Sequence, residues 1–338
     1  MLGPEGVQDL LDRIGGVKVA VYGDFALDAY WLLDPRGSEV SVETGLPAQA
    51  VREHYYTPGG ASNVVANMMA VEPESVLAIG TVGDDIFGRE LRRQLEGLRV
   101  DTSGLIVQGK DFDTITFAKR YLEGEEQPRI DFGYYNERSN DTEERLLRRL
   151  EEALDRYDAL VFNQQVPGSL DNERFIRGAK DLFEKYDDRI VLLDSRHYGD
   201  RFDEVYRKTN AVEAARLNGA EAREEDVIDL EGVRGYGRNL HARSGQPVFI
   251  TRGRRGMVVF DAAGIHEIPG IQLGGRLDPV GAGDTCTGAL ALSLAAGAEP
   301  RAAGEFANYA ATVTVQKLFR TGTASGKEIR EMAEETVR

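Results

Sequence analysis

The stretch Asp278–Asp284, DPVGAGD, sets Gly281, Ala282 and Gly283 directly ahead of an acid, and the apolar run TCTGALALSLAAG follows it. Small residues let successive backbone N–H groups point into one concavity, and a helix that begins there adds positive dipole character. Such a junction suits an anion, most simply a phosphate. Asp284 at its edge would repel that phosphate in the ground state. The carboxylate makes chemical sense as a base that takes the proton of a hydroxyl attacking the phosphate. The plain alternative is an N-cap, a position that Asp favours. As a four-residue pattern GAGD carries little weight alone.

Two more acids, Asp24 and Asp28 in GDFALD, follow the apolar run Val17–Gly23. That run reads as a buried parallel strand, and open α/β sheets bind ligands past the carboxyl ends of their strands. Asp24 and Asp28 are placed to accept hydrogen bonds from sugar hydroxyls, or they are ordinary loop acids. Further on, Pro58, Gly59 and Gly60 make a turn ahead of Asn63. The glycine pair permits close backbone approach to a ligand, and the Asn63 amide offers a donor and an acceptor. His54, His197, His241 and His266 show no metal-ligand spacing. The lone Cys286 reads as a small buried hydrophobe, and it excludes an internal disulfide.

The elements that must position these groups follow from periodicity. An amphipathic helix (5–14) leads into the first strand. Strands at Val76–Gly83, Ala159–Phe162, Ile190–Asp194 and from Pro247 alternate with helices at 85–97, 142–157 and 169–186, and a helix after Asn210 carries Glu213. Such alternation implies a mostly parallel sheet covered on both faces. Two long helices, 284–297 and 300–318, end the pattern. Residues 30–57 and about 112–134 change character. Short polar–apolar alternations there, EVSVE among them, predict antiparallel strands with one wet face. We expect a small antiparallel β lid inserted in one domain spanning 1–338.

The net charge of −16 argues against nucleic acid or an anionic membrane as partner, since both call for a basic surface. The start lacks a basic segment followed by an apolar one, and the run Ala289–Ala298 is too short to span a bilayer. Together with the single cysteine, this points to the cytoplasm.

In order and spacing, the Gly-Gly segment with Asn63, GTVGDDIFG, TRGRRG and DPVGAGD resemble the ribokinase-like carbohydrate kinase family over nearly the whole chain. The resemblance implies a three-layer, doubly wound α/β fold and ATP-dependent transfer of a phosphoryl group to a sugar hydroxyl. It implies that Asp284 is the catalytic base and that the N–H groups of Gly281, Ala282 and Gly283 steady the transferring group. Asn210 and Glu213 match the Asn-x-x-Glu motif that positions hydrated Mg²⁺. Thr251, Gly253 and Gly256 match the turn beside the nucleotide. Asn308 and Thr321–Ser325 match the adenine-side wall. Asp24, Asp28, Gly59, Gly60 and Asn63 match acceptor contacts, and Asp278 matches a K⁺ ligand of some members. GDFALDAYW, QPRIDF and FANYAATVTVQKL are similar to bacterial heptose-7-phosphate kinases, which phosphorylate C1. A phosphorylated acceptor calls for cations near the lid, with Lys119, Arg120, Arg129 and Arg196 as candidates. NQQVPG after the mid-chain strand and SRHY after Asp194 depart from those kinases at acceptor positions. A fructose- or ribose-like acceptor therefore stays open. So does a non-catalytic sugar or nucleotide sensor on the same fold. A nicotinamide dehydrogenase ranks last, because no G-x-G-x-x-G follows the first strand. The lid's apolar residues suggest a homodimer through the lids.

Overall fold

The computed structural model describes residues 1–169, 172–318 and 322–337. Helix α1 (Pro4–Ile14) precedes strand β1 (Lys18–Gly23), which passes through Asp24 into β2 (Phe25–Leu33). After a loop come β3 (Val51–Gly60), α2 (Ala61–Met69), β4 (Ser75–Gly83), α3 (Ile86–Gly97) and β5 (Asp101–Gln108). The hairpin β6 (Thr116–Leu122) and β7 (Glu125–Phe132) leads to α4 (Asn140–Arg156), β8 (Ala159–Gln164), α5 (Glu173–Lys185) and β9 (Ile190–Ser195). Then follow β10 (Tyr206–Asn210), α6 (Ala211–Leu217), α7 (Leu230–Ser244), β11 (Val248–Thr251), β12 (Met257–Asp261) and β13 (Gly264–Ile268). Three helices close the chain: α8 (Ala282–Ala295), α9 (Pro300–Thr314) and α10 (Gly326–Val337).

The large sheet runs β13-β12-β11-β10-β9-β8-β1-β4-β5. It is parallel from β5 to β11, and only the pairings of β12 with β11 and with β13 are antiparallel. Its strands are buried on both faces, so they carry unbroken apolar runs rather than alternation. Val19 and Val21 of β1 pack in a core shared with α1, α2, α8 and α9, while Ala20 and Tyr22 point into the α4–α5 core. The result is three layers, as expected. Strands β5 and β10 and helices α7 and α10 went unread in the sequence. DTSGLIVQ alternates only loosely, and VYRKTN hides a central strand behind charged letters.

The lid is a separate sheet of order β3-β2-β6-β7. Its outer pairings are antiparallel and its central pairing, β2 with β6, is parallel. It begins at Phe25, earlier than residue 30, because the chain enters it directly from β1. The predicted strand at EVSVE is absent. The only pairing there is an isolated Val40–Pro47 bridge in an exposed loop, with Val40, Val42 and Leu46 at 64%, 102% and 66% exposure. No neighbouring strand supplies a ladder for that alternation to use.

Asp85 ties lid to body. Its Oδ1 caps α3 by accepting from Gly88 N–H (2.7 Å), and its Oδ2 accepts from Thr114 N–H (2.7 Å) just ahead of β6. Asp85→Ala removes the cap and leaves Thr114 N–H without that acceptor. We expect a loss of about 1–2 kcal/mol in urea unfolding, the usual value of a helix cap. A loss near zero would show that the lid junction holds without Asp85.

Candidate active site

The site is assembled where α8 begins. The N-cap is Gly281, at φ +80°, a left-handed conformation that glycine adopts without strain. Asp284 is therefore third in the helix and is not its cap. The Ala282 N–H turns back to Pro279 O (3.2 Å), while the Gly281 and Gly283 N–H groups meet no acceptor among the described residues. Helix geometry leaves first-turn donors free in this way, and they favour an anion.

Asp284 Oδ2 accepts from Asn63 Nδ2 at 2.7 Å, and Oδ1 meets no donor among the described residues. Asn63 is held in turn by Asn67, whose Nδ2 donates to Asn63 Oδ1 (3.2 Å) and to Asn63 O (2.9 Å). Helix α2 thus orients the carboxylate of α8. Burial pushes the Asp284 carboxyl up to about 6, against the pull of the Asn63 amide and the Lys208 ammonium; Asp194 and Asp28 add to the rise. A group ionising there is a competent base at neutral pH.

Beside this corner lies a cavity of about 370 Å³. It brings together Asn210, Thr251, Gly253, Gly256, Asn308, Ala282 and Gly283, seven of the residues matched to the nucleotide or the nest. Ile271, Leu273, Leu277, Ala311 and Val315 add an apolar wall suited to a flat base. Three of them sit in the aperiodic stretch 271–277, which gave no sequence signal. At Gly256, φ is +82° and a Cβ would lie 2.1 Å from Ile268 O, so only glycine fits the turn. The adenine-side wall differs from expectation at Thr321–Ser325. Thr321 lies outside the described residues, and Gly322–Ser325 do not line the cavity. Ala324 is in the core, while Ser325 exchanges hydrogen bonds with Glu328 at the start of α10.

Asn210 and Glu213 form a reciprocal cap on α6. Asn210 Oδ1 accepts from Glu213 N–H (2.9 Å), and Glu213 Oε2 accepts from Asn210 N–H (2.8 Å) and the Thr209 hydroxyl (3.0 Å). That leaves Oε1 for water on a metal. Among the described residues no group of three or more His, Cys, Asp or Glu could cage an ion. The donors fit Mg²⁺ that keeps its waters and takes its direct ligands from phosphate oxygens. Asp278 Oδ1 accepts from Val280 N–H (3.1 Å), and its own N–H donates to Val315 O (2.8 Å).

Toward the lid, the glycine pair makes room for the protein's own atoms. A Cβ on Gly60 would lie 2.6 Å from Asp24 O, and one on Gly59 would lie 3.1 Å from Asp28 Oδ1. Asp24 Oδ2 takes the N–H groups of Gln165 (2.7 Å) and Val166 (2.8 Å) and the Ser169 hydroxyl (3.0 Å), so it shapes the loop after β8. Asp24 also lines a second cavity of about 430 Å³, with Tyr22, Thr81, Arg138 and Glu143. That cavity opens on the α4–α5 face of the sheet, away from Asn63. Asp28 pairs with Lys119 (2.9 Å), which also reaches Tyr30 OH (3.1 Å). Arg129 pairs with Asp131 (2.6 Å) and lies over the Phe117 ring. In the register of β2 with β6, Lys119 faces Tyr30 and Arg120 faces Trp31. Because sides alternate along a strand, Arg120 lies on the lid face opposite Asp28, where it meets Pro128 O and Gln49. The cation of that strand on the Asp28 face is Lys119.

Residues 18–326 match the pfkB family carbohydrate kinase description. The chain is 34% identical over 323 residues to the "Bifunctional protein HldE" of Shewanella sp. (strain ANA-3), with 93% of this chain and 63% of that protein covered. It is 28% identical over 317 residues to the protein of the same name from Coxiella burnetii (strain Dugway 5J108-111), covering 89% and 60%. The chain thus spans somewhat less than two thirds of these relatives. Among solved structures, Arabidopsis thaliana ribokinase complexed with ribose and ATP shares the fold at TM-score 0.70 and 19% identity, covering 94% and 99%. Escherichia coli phosphofructokinase-2 with fructose-6-phosphate does so at TM-score 0.71 and 17%, covering 95% and 100%. This chain belongs to the pfkB family of carbohydrate kinases.

The raised carboxyl makes a two-sided pH prediction. The native state holds the Asp284 proton more tightly than the unfolded chain does. Its contribution therefore favours folding at low pH and is lost as pH rises from about 4 to about 6. Asp284→Asn should raise stability at pH 8 by roughly 1 kcal/mol after solvent screening in the open cleft. The gain should vanish near pH 4. Thermal melts at both pH values check this, and equal destabilisation at both would contradict it.

Proposed function

We propose that the chain transfers the γ-phosphoryl group of ATP to a hydroxyl of a sugar or sugar phosphate, and that C1 of a heptose 7-phosphate is the specific acceptor to test first. The observation that carries this reading is the placement of Asp284. It stands inside the first turn of α8, held by Asn63 and free of capping duty, at the edge of a nucleotide-sized cavity. A cap would have no need of a tether from α2. The acceptor hydroxyl gives its proton to Asp284 as its oxygen attacks the γ-phosphorus. The Gly281 and Gly283 N–H groups receive charge on the phosphoryl oxygens. Glu213 and Asn210 would hold the water shell of Mg²⁺, which would neutralise charge on the phosphates. Asp278 would be the residue to hold K⁺.

Support for a heptose 7-phosphate comes from the relatives named HldE and from Lys119, Arg129 and Arg196 near the acceptor side. A fructose- or ribose-like acceptor is favoured by two other facts. Lys119 and Arg129 are already paired with carboxylates. The loops after β8 and β9 are tied by Gln164, whose Nε2 donates to Val166 O and the Ser169 hydroxyl and whose Oε1 accepts from the Ser195 hydroxyl and His197 N–H. An acceptor phosphate must then draw a cation from its partner or meet Arg196, which has no ion pair among the described residues. A screen for ADP release with Mg·ATP and seven-carbon 7-phosphates, fructose, ribose and their phosphates decides between them. No release with any acceptor would favour a sensor.

Two further outcomes are expected. Glu213→Gln should lower turnover about 10-fold or more and raise the Mg²⁺ concentration needed for half-maximal rate. An unchanged Mg²⁺ requirement would remove Glu213 from the metal site. The exposed Val40, Val42, Leu46, Tyr55 and Ile130 of the lid and its loop fit a second copy of this chain. Light scattering should return twice 37.2 kDa at micromolar concentration. A mass of one chain would refute the lid dimer. Among the described residues no helix is long and apolar enough to cross a membrane.

A further inference from the structure

The lid hairpin is rooted around the second cavity, the one of about 430 Å³ on the α4–α5 face. The segment ahead of β6 lines it with Phe112 and Ile115, and the segment between β7 and α4 lines it from Gly133 to Arg138. Its floor is formed at the carboxyl ends of β1 and β4 by Tyr22, Asp24 and Thr81. Neither Asn63 nor Asp284 lines it, and neither does Asp28 or Lys119. Ile115 and Val166, which do, belong with Ala26 to a small buried cluster at the base of the lid.

The polar groups of this cavity are buried and only partly used. The Arg138 side chain is 12% exposed, with Nε 3.8 Å from Glu143. Its Nη1 donates to the Tyr22 hydroxyl (2.7 Å), and its guanidinium lies over the Phe175 ring. Nη2 meets no acceptor among the described residues, and neither does the proton of the Tyr22 hydroxyl. Thr81 is 7% exposed, and its hydroxyl has no partner among the described residues. Asp24 commits Oδ2 to three donors, while its Oδ1 meets none among the described residues. Buried polar groups left without partners cost stability. Apolar side chains of similar volume would avoid that cost. Folding alone therefore gives no sufficient reason for this set of groups, and a ligand that completes their bonds does.

We propose that this cavity is a second binding site, separate from the acceptor site, for a neutral polyhydroxylated ring: an unphosphorylated sugar or a cyclic polyol. Both signs of charge line it, Asp24 and Glu143 against Arg138. An anion would meet two carboxylates, and a cation would meet the guanidinium. Hydroxyl groups satisfy both, because each donates one hydrogen bond and accepts others. They accept from Arg138 Nη2 and the Tyr22 hydroxyl, donate to Asp24 Oδ1, and exchange bonds with Thr81. Tyr134 and Tyr135 line the same cavity at 57% and 94% exposure, so their rings are available to cover the C–H face of a sugar ring. The cavity is within the usual size range of small-molecule sites, and a few convergent polar groups are their usual mark.

Occupancy has a mechanical consequence. A ring bonded to Arg138 on one side and to Tyr22 and Thr81 on the other ties the hairpin's root to the central sheet. Both connections of the hairpin are then restrained at once, and the opening motions of the lid become rarer. Backbone amides at 112–116 and 133–138 should exchange their hydrogens more slowly with the ligand bound. This inference concerns binding alone and does not depend on the kinase reading.

The test is calorimetry on the full chain without nucleotide, with glucose, galactose, mannose and myo-inositol at millimolar concentration as probes. Inorganic phosphate and putrescine serve as the charged controls. At least one neutral probe should bind, and neither control should compete with it. The sugars and the inositol in the panel distinguish the two sources of the ring. Thr81→Val keeps the shape of the side chain and removes the hydroxyl, so it should weaken binding about 3- to 10-fold. Its melting temperature should stay level or rise, because a buried hydroxyl without a partner is gone. Tyr135→Ala, at an exposed position, should weaken binding with no change in melting. Asp28→Asn, on the acceptor side, should leave the affinity as it was. Absence of heat from every neutral probe overturns the proposal. So does binding that falls with Asp28→Asn and ignores Thr81→Val, because the ring would then occupy the acceptor site. A Thr81-dependent site that takes phosphate or putrescine in place of the neutral probes refutes the ligand class. If Thr81→Val fails to fold, Tyr135→Ala and the slowed exchange at 112–116 decide, and no change in either overturns the proposal.

Discussion

A carboxylate placed against an anion site is the constraint on which the structure turns. Asp284 sits in a helix's first turn, where the macrodipole and the free N–H groups favour negative charge. Burial works the other way and raises its pKa to about 6. Together the two effects suit a group that is ionised at neutral pH yet close to taking a proton. The remaining features of the corner hold that balance. Asn63 fixes one oxygen, Asn67 fixes Asn63, and Lys208 supplies nearby positive charge.

The doubly wound sheet makes the convergence cheap in backbone terms. Parallel strands all deliver their carboxyl ends to one edge, so β1, β8, β9 and β10 present Asp24, Asn163, Asp194 and Asn210 together. None of these residues is near another in sequence. Helices α2 and α8 lie on the same face and meet at Asn63 and Asp284, 221 residues apart. The lid rises from β1 without a linker, so Asp28 and Lys119 are carried over that edge by continuous strand pairing. Asp85 adds a second tie between lid and body.

The sequence showed the layers, the lid and the chemistry-bearing corner because those depend on local pattern. Apolar runs ending in glycine mark buried parallel strands, and DPVGAGD marks the start of α8. It failed where tertiary context decides. EVSVE alternates like a strand but has no neighbour to pair with. Arg120 and Lys119 are adjacent letters, and only the register with β2 shows which one faces Asp28. The apolar wall of the cavity beside α8 comes partly from residues scattered through an irregular segment. Lys208 lay in VYRKTN, where the charged letters concealed a central strand. A lysine two residues before a capping box is unremarkable until β9 brings Asp194 alongside it. Asp24 reads in the sequence as a ligand contact, and in the structure its Oδ2 takes three donors from the loop after β8, while Gly59 and Gly60 of β3 make room for Asp28 and for Asp24 O.

The chain's acidity bears on how the cleft handles charge. With a net charge of −16, free cations in the cleft would be drawn to carboxylates elsewhere unless each had its own partner. The structure provides partners for three of them: Lys119 with Asp28, Arg129 with Asp131, and Lys208 with Asp194. Each cation is thereby held in one place and kept charged without making the cleft strongly positive. A strongly positive cleft would hold every polyphosphate tightly, product included. Paired cations bind an incoming anion more weakly, because each must loosen its grip on a carboxylate. They reward the state in which anionic charge is greatest and best placed. That is the requirement of a catalyst for group transfer, which must stabilise the transferring phosphoryl more than either the substrate or the product.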